Sequence, residues 1–563
     1  MIYIIGIKLK GKSMEILEIT DLKDMLKKTE KLYKNRPAYK IREDVQKYKI
    51  ITHKELREMV NALGTQLIEL GLKGKRIAVI GKNRYEWQIA YLSVVCGTGI
   101  VVPLDKSLPE NEIKRLIQRA DIEAIFYSEK YEEQLQRIFK SKETKLKYLF
   151  SMANQNELIE KGQQLIKQGN TKFLDAKINP EEMNIMLFTS GTTSESKAVA
   201  LSHKNICANI MDLAQALEID ENDHTLSFLP LHHVFECTVG FLLSIYSGAQ
   251  ISFCDGIKHI LENFNEYQTS FAAFVPAIYE NIYKNMMRKF EKQGRLEEIQ
   301  KLIEEHKNDT MEQKKEVFKE IHDMFGGNIK ALITGAAAID TKAAQAYRDF
   351  GINLCQGYGL TETSPVVSIE TRKAHRLGSI GKTLPSVEAK IENPNKEGIG
   401  ELLVKGPTVM LRYYQNEEAT NEAIQDGWFH TGDLARIDKD GYIYISGRKK
   451  SVIVLKNGKN IFPEEMESLV NRIQGVKESF IFGKSVREDK SDIKIYAKIV
   501  YDRGSFGEAA EQEIYDTINN QIKEINHTMP PYKGIKGIIL TEKPLIKTTT
   551  SKIKRQEEMK TIL

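Results

Sequence analysis

The chain has 563 residues, 41% hydrophobic and 28% charged, with 23 Tyr, 21 Phe and 14 Pro. This composition excludes a collagen-like, low-complexity or wholly disordered chain, and at roughly 150 residues per domain the length allows about four structural units with sizeable cores. A formal charge of +5 spread over this length argues neither for nor against nucleic acid. The five cysteines (Cys96, Cys207, Cys237, Cys254, Cys355) are scattered, odd in number and never spaced C-x-x-C. They suggest neither a disulfide framework nor structural zinc, and they fit a reducing cytoplasm. No apolar run reaches the roughly 18 residues a spanning helix needs. Residues 1–13 lack a small-residue cleavage site and read as an over-extended start or a disordered tail.

In chain order, apolar strand-like runs alternate with helical ones. Strands are expected at Arg76–Ile80, Ile100–Leu104, Ile122–Ser128, Asn184–Ser190, Ala249–Phe253, Ser270–Pro276 and Ile329–Thr334, with a helix over Tyr85–Val95. Such alternation implies parallel βαβ units. The charged stretch Lys284–Met324 reads as helices, with Leu296, Ile299, Leu302 and Ile303 on one face and a capping box at Thr310-x-x-Gln313. From Val387 the rhythm shifts to short β segments, and Asp440-Gly441 between LARI and YIYIS signals a hairpin. Residues from about 450 mix strands (ESFIFGK, IKIYAKIVY) with a helix from about Gly507 to Ile525, a small α+β domain.

The segment MLFTSGTTSESKAVALSHKNI (186–206) is the richest in chemistry. A buried strand ends at Phe188, and Thr189, Ser190, Gly191, Thr192 and Thr193 then precede Lys197 and an expected helix. Hydroxyls and exposed amides in a tight loop can wrap phosphate oxygens, with a lysine supplying countercharge. The plainer reading is a Ser/Thr-rich surface loop. Gly381-Lys382-Thr383 is not a Walker loop, because the glycine required five positions before Gly381 is Arg376. Gly357-Tyr358-Gly359 fails as a dinucleotide fingerprint, since the third glycine position holds Glu362.

TSGTTSESK at 189–197 resembles the phosphate loop of the adenylate-forming (AMP-binding) superfamily of acyl-CoA synthetases, adenylation domains and luciferases. The other signatures follow in order: LPLHHVFE at 229–236, TGAAAI at 334–339, QGYGLTET at 356–363, GELLVKGPTVMLRYY at 400–414, WFHTGDLARIDKDGYIYISGRKK at 428–450 and KTTTSKIKR at 547–555. The resemblance runs from about residue 30 onward and is nearest to long-chain fatty-acid–CoA ligases, because LPLHHVFE ends in Glu and helices are inserted at 284–324. It implies an α/β fold: a large N-terminal domain (14–447) of parallel βαβ subdomains plus a small β-rich subdomain, a hinge at 448–450, and a small mobile α+β C-terminal domain (451–563).

The activity it implies is ATP-dependent conversion of a fatty acid to acyl-AMP and pyrophosphate, then transfer to coenzyme A. By the same resemblance, Lys552 is the adenylation lysine, Glu362 holds Mg²⁺ and Thr361 contacts the α-phosphate. Tyr358 stacks on adenine, with Gly335, Ala336 and Ala337 opposite, and Gln356, Gly357, Gly359 and Ile445 complete the nucleotide site. Asp433 accepts from the ribose hydroxyls, with Arg448 assisting. Thr189 to Thr193 and Lys197 take the phosphates, His233 stands at the gate beside the carboxylate, and Phe235 helps form the acyl-pocket wall. Rotation at the hinge residue Lys450 exchanges Lys552 for the loop of Lys456, Asn457, Gly458 and Lys459.

Several alternatives stay open. His232, His233, Glu236 and Cys237 are metal-ligand types, although no second ligand cluster accompanies them. Lys552 also reads as a solvated lysine of a basic tail, and Asp433 as a turn residue. Val234, Val239, Phe241, Phe274 and Ile278 suit either an acyl tunnel or a core. The chain departs from the family pattern at Ser194, Ser196 and Ala198 in the phosphate loop, and at Ile546 and Ser551 before the adenylation lysine. These changes bear on loop mobility and rate. The expected partners are fatty acid and CoA, with no nucleic acid. A carrier-protein thiol as acceptor and a degenerate adenylate-binding protein are the rival readings. The location implied is the cytoplasm, with peripheral contact at the inner membrane face as the alternative to solvated 284–324 helices.

Overall fold

The computed structural model describes residues 16–189, 196–455, 459–485, 493–548 and 552–562. The start at 1–13, Ser190, Gly191, Thr192, Thr193 and Ser194 of the phosphate loop, Lys456 to Gly458, and Ser551 lie outside the described residues. The chain divides into two compact units: Met1–Thr189, Ser196–Glu388 and Val404–Phe429 form the first, and Ser190–Glu195, Ala389–Leu403 and His430–Leu563 the second.

The first unit carries two large sheets. In one, the strand order is Arg412–Tyr413, Lys197–Ser202, Met183–Thr189, Ile100–Pro103, Arg76–Ile80, Ile122–Tyr127 and Tyr148–Ser151. The last five are parallel. In the other, Leu354–Gly359, Ala331–Thr334, Phe271–Phe274, His224–Ser227, Gln250–Phe253 and Pro37–Asp44 are parallel neighbours. Antiparallel strands flank them, Val366–Ile369 and Lys382–Thr383 at one edge and Lys47–Thr52 at the other. ALIT and FAAF are buried at every position. Strands covered on both faces carry continuous apolar runs, and it is their shortness and alternation with helices that locates them in sequence.

The charged insertion folds as helices Pro276–Lys292, Leu296–Glu305, Met311–Val317 and Lys319–Met324. The capping box forms: Gln313 N–H donates to Thr310 Oγ1 at 3.3 Å, and Thr310 N–H donates to Gln313 Oε1 at 2.9 Å. Its apolar face is taken up by protein, since Leu296, Ile299, Leu302 and Ile303 pack with Phe290, Phe318, Ile321 and Phe325. Opposite charges pair at the surface, as in Arg295 with Glu298 and Glu320.

One expectation is corrected: Ala198 does not belong to the phosphate loop. Lys197 opens a strand, Lys197–Ser202, and the helix His203–Leu217 begins only after it. Ala198-Val199-Ala200-Leu201 is wholly buried and runs antiparallel to Met183–Thr189, with Thr189 opposite Lys197 and Phe188 opposite Ala198. The departure from Gly at Ala198 therefore lies in a ladder, its methyl in a core cluster, and not in the loop.

Further along the chain, Glu388–Glu392, Gly400–Lys405, Trp428–Ile437 and Ile443–Arg448 belong to one sheet. The Asp440-Gly441 turn closes its hairpin, with Gly441 at φ 84°. Further on, Val476–Ser485, Ile493–Tyr501 and Ile535–Thr541 form a three-stranded sheet. Helices Pro463–Val470 and Glu511–Thr528 cover it through Met466, Val470, Ile514, Ile518 and Ile522. The second helix starts at Glu511, later than its sequence suggests, because Gly507 has φ 58° and Ala510 is an extended N-cap.

Candidate active site

Ligands of open α/β sheets bind beyond the carboxyl ends of parallel strands. In the first unit, Gly335, Ala336 and Ala337 follow Ala331–Thr334, and Gln356 to Gly359 end the neighbouring strand, with Thr334 opposite Gln356. Ala336 has φ 71°, an uncommon conformation for a residue with a side chain and one that clusters at functional sites. Gly359 is fixed by close approach, since a Cβ there would lie 1.9 Å from the Pro365 carbonyl. Tyr358 is half-buried, paired across the ladder with Ser368. Gln356 is turned inward: its N–H donates to the Glu370 carboxylate at 3.1 Å, and its Oε1 accepts from Ile339 N–H at 3.4 Å.

Thr361 and Glu362 sit on the short turn Thr361–Thr363 just beyond this edge. Both are half-buried. The Tyr413 hydroxyl donates to Glu362 Oε1 at 2.8 Å, and Met410 N–H donates to the Glu362 carbonyl at 2.7 Å. Lys197 Nζ lies 4.4 Å from the Tyr413 ring centroid. Lys197 and Glu362, distant in sequence, are thus joined through one tyrosine to which sequence reasoning gave no role. Its only signal was its place in GELLVKGPTVMLRYY. A half-buried carboxylate with no ammonium paired to it among the described residues suits a hard cation that keeps phosphate oxygens as its other ligands, so Glu362 fits Mg²⁺.

His233 follows the strand His224–Ser227, and its N–H donates to the Pro230 carbonyl at 3.0 Å. The neighbouring His232 ring is 4.3 Å away between centroids. Burial, aided by the Lys106 charge, lowers His232 to about 3, so it stays neutral at physiological pH. The metal reading of this segment fails among the described residues, where His232, His233, Glu236 and Cys237 do not gather their ligand atoms. Cys237 is buried and raised to about 12. Glu236 instead accepts from the Ser227 hydroxyl at 2.6 Å. Asn83 donates to Ser227 at 3.0 Å and to the Leu229 carbonyl at 2.6 Å, which ties down the loop leading to His233. Of the apolar candidates, Phe274 is packed against Phe228, Phe264 and Tyr279, and Phe241 against Tyr91, so both are core side chains.

Burial raises Glu236 from 4.5 to about 8, against its hydrogen bonds from Ser227, Leu229 and Phe228. Between about pH 4.5 and 8 the folded chain then holds a proton that the unfolded chain has released, so this group's stabilising contribution falls as pH rises through that window. Glu236→Gln removes the titration. Relative to the parent, its Tm is expected to rise from pH 5 to pH 8, following a term of at most about 1.4 kcal/mol per pH unit. Melting both proteins at several pH values checks this, and parallel Tm profiles would refute it.

In the second unit, Asp433 and Arg448 face each other across the hairpin, with Arg448 Nε 2.7 Å from Asp433 Oδ1. Asp433 is buried, and its N–H donates to Thr431 Oγ1 at 3.1 Å. Ile445 pairs with Ala435 on the same two strands. Lys450 is exposed in a short turn, Lys449–Ser451, directly after Arg448. Lys449 pairs with Glu401 at 2.7 Å, and Gly432 N–H donates to the other Glu401 oxygen at 3.1 Å. Glu392, Glu401 and His430 are the one group near enough to share a metal among the described residues. The ammonium already at Glu401 speaks against a cation there.

Lys552 is exposed, directly before Ile553, which forms an antiparallel bridge with Lys547. Thr548 N–H donates to the Lys552 carbonyl at 2.8 Å, and Lys552 N–H donates to Thr548 Oγ1 at 3.1 Å. Two carboxylates fasten the segment leading to this bridge. Leu545 N–H and Lys547 Nζ donate to Glu478 at 2.8 and 2.6 Å, and Ile546 N–H donates to Glu558 at 2.8 Å. Lys498 also pairs with Glu558. Burial opposes ionisation of Glu558, but the Ile546 N–H and the Lys498 ammonium hold its carboxyl below the usual range. Ile546 thus supplies an N–H that a proline at this position would lack.

The fold is shared with solved acid–CoA ligases, and the family models give the class of enzyme. The AMP-binding enzyme family matches residues 26–414, and the AMP-binding enzyme C-terminal domain matches 450–561. The chain belongs to the AMP-binding enzyme family. It is 26% identical over 460 residues to the long-chain-fatty-acid–CoA ligase FadD15 of Mycobacterium bovis, covering 77% of this chain and 75% of that protein. It is 28% identical over 585 residues to long-chain-fatty-acid–CoA ligase 5 of Mus musculus, covering 93% and 84%. Among solved structures, the anthranilate CoA ligase AuaEII in complex with anthranoyl-AMP superposes with a TM-score of 0.77 at 19% identity, over 96% of this chain and 97% of that one. A fatty acyl CoA synthetase of Mycobacterium tuberculosis gives 0.65 at 20% identity, over 96% and 98%. No helix among the described residues is long and apolar enough to cross a membrane.

Proposed function

We propose that the protein is a long-chain fatty-acid–CoA ligase, which forms acyl-AMP and pyrophosphate from a fatty acid and ATP and then passes the acyl group to coenzyme A. The observation that carries the reaction class is the Lys197–Tyr413–Glu362 set beside the carboxyl edge of the parallel strands. An ammonium and a carboxylate gathered at that edge are the groups that a nucleoside triphosphate's phosphates and their metal call for. The long-chain acid is supported by relatives of that name matched over as much as 96% of the chain at 25% identity.

In this reading Glu362 holds Mg²⁺, which when bound neutralises charge between ATP phosphates. Thr361, Thr189 to Thr193 and Lys197 orient the phosphates. Tyr358, Gly335, Ala336, Ala337, Gln356, Gly357, Gly359 and Ile445 receive the adenine, and Asp433 and Arg448 the ribose. His233 stands by the carboxylate. Lys552 stabilises the charge that grows between the acyl oxygen and the α-phosphate. The chain then works as a domain of 14–447, a hinge at 448–450 turning about Lys450, and a mobile domain of 451–563, so that the two half-reactions are separated in time.

The test is to supply ATP, Mg²⁺, CoA and saturated acids of graded length, and to follow AMP and thioester. A CoA-dependent maximum at long chains supports the reading. Pyrophosphate exchange without thioester would move the acceptor to a carrier-protein thiol. No turnover with any acid would leave an adenylate-binding protein.

A further inference from the structure

We propose that Tyr413 is a positioning residue of the nucleotide site, one phenol that aims the Glu362 carboxylate through its hydroxyl and seats the Lys197 ammonium on its ring. The inference rests on the proposed ATP·Mg²⁺ reading of that site. Three independent ties hold the tyrosine. Its strand, Arg412–Tyr413, pairs antiparallel with Lys197–Ser202, Tyr413 opposite Val199 and Arg412 opposite Ala200. Leu411 and Tyr414 N–H groups donate to the Ala200 and Ala198 carbonyls at 3.0 and 2.7 Å. The Tyr413 N–H itself donates to Thr420 Oγ1 at 3.0 Å, and its side chain is 5% exposed. The backbone bond from Met410 N–H to the Glu362 carbonyl, 2.7 Å, brings the same segment against the Thr361–Thr363 turn.

From that anchored position the two faces of the phenol do different work. The hydroxyl occupies one lone pair of Glu362 Oε1, and the remaining acceptor positions of the carboxylate take no other side-chain donor among the described residues. A carboxylate already fixed in orientation loses less freedom on binding a metal, and removing such an outer hydrogen bond typically weakens metal binding. The ring face, electron-rich, attracts the Lys197 ammonium at 4.4 Å. Lys197 opens its strand beside the phosphate loop, so the same ring sets where that charge stands.

The two roles separate by substitution. Tyr413→Phe keeps the ring and loses the bond to Glu362, whereas Tyr413→Ala loses both the bond and the ring. The readout is equilibrium thermal stabilisation of the full-length protein by ATP, titrated with Mg²⁺ and repeated in EDTA. In Tyr413→Phe the Mg²⁺ concentration giving half of the ATP-dependent Tm rise is expected to increase roughly tenfold. Its Tm without ligand should stay within about 2 °C of the parent, and its ATP requirement at saturating Mg²⁺ within about twofold. In Tyr413→Ala the ATP requirement should also rise several-fold. Tyr413→Trp, which keeps a ring and an N–H donor, should fall between the parent and Tyr413→Phe, and it keeps the test open should the phenylalanine variant fold poorly. The same Mg²⁺ midpoint in the parent and Tyr413→Phe would overturn the proposal. A parent that ATP and Mg²⁺ do not stabilise would instead overturn the functional reading beneath it.

Discussion

Lys552→Ala is expected to lower fatty-acid-dependent ATP–pyrophosphate exchange by about 10²–10³-fold, the usual cost of removing one donor aimed at transition-state charge. Transfer to CoA from preformed acyl-AMP should fall far less, because the proposed hinge turn takes this lysine out before thioester formation. Lys552 is exposed, next to a bridge whose other segment is fastened through backbone N–H groups and Lys547 to Glu478 and Glu558. Truncating its side chain leaves those bonds intact, and the Tm should not move. Equal losses in both half-reactions would show that the lysine does not alternate. No loss in either would return it to the basic tail.

Glu362→Gln is expected to lower exchange by about 10²-fold and to raise the Mg²⁺ concentration needed for half-maximal rate. The amide nearly matches the carboxylate in shape and can still accept from the Tyr413 hydroxyl, but it offers a cation a neutral oxygen in place of a charged one. The turn itself is secured by backbone bonds, so the fold should persist. ATP binding measured in EDTA should be little changed, which separates loss of the metal ligand from loss of the nucleotide site. A variant with unaltered Mg²⁺ dependence would remove Glu362 from the metal role.

Much of the fold was legible in sequence because its signals are local. The strands at 76–80, 100–103, 122–127, 271–274 and 331–334 are short apolar runs between helices, and such runs in alternation become parallel sheets. The Asp440-Gly441 hairpin and the Thr310 capping box are each decided within a few residues. The stretch between Lys197 and the helix after it shows the limit. Ala-Val-Ala-Leu fits either a helix or a fully buried strand, and the register against Met183–Thr189 is what settles it. Phe241 and Phe274 fail for a related reason, since an apolar side chain looks the same in sequence whether it lines a tunnel or fills a core.

By itself the sequence determined the order of motifs, the αβ alternation that makes them ends of strands, and the residue types that can meet phosphate, metal and ribose. Tertiary structure alone decided which of those residues are neighbours. Tyr413 lies 51 positions from Glu362 and sits over against Lys197 from another strand, and Glu236 becomes a protonated carboxyl only because folding buries it. Local preference acts over a few residues, whereas burial and the approach of one side chain to another depend on how distant strands are laid side by side. No pattern along the chain carries that distance.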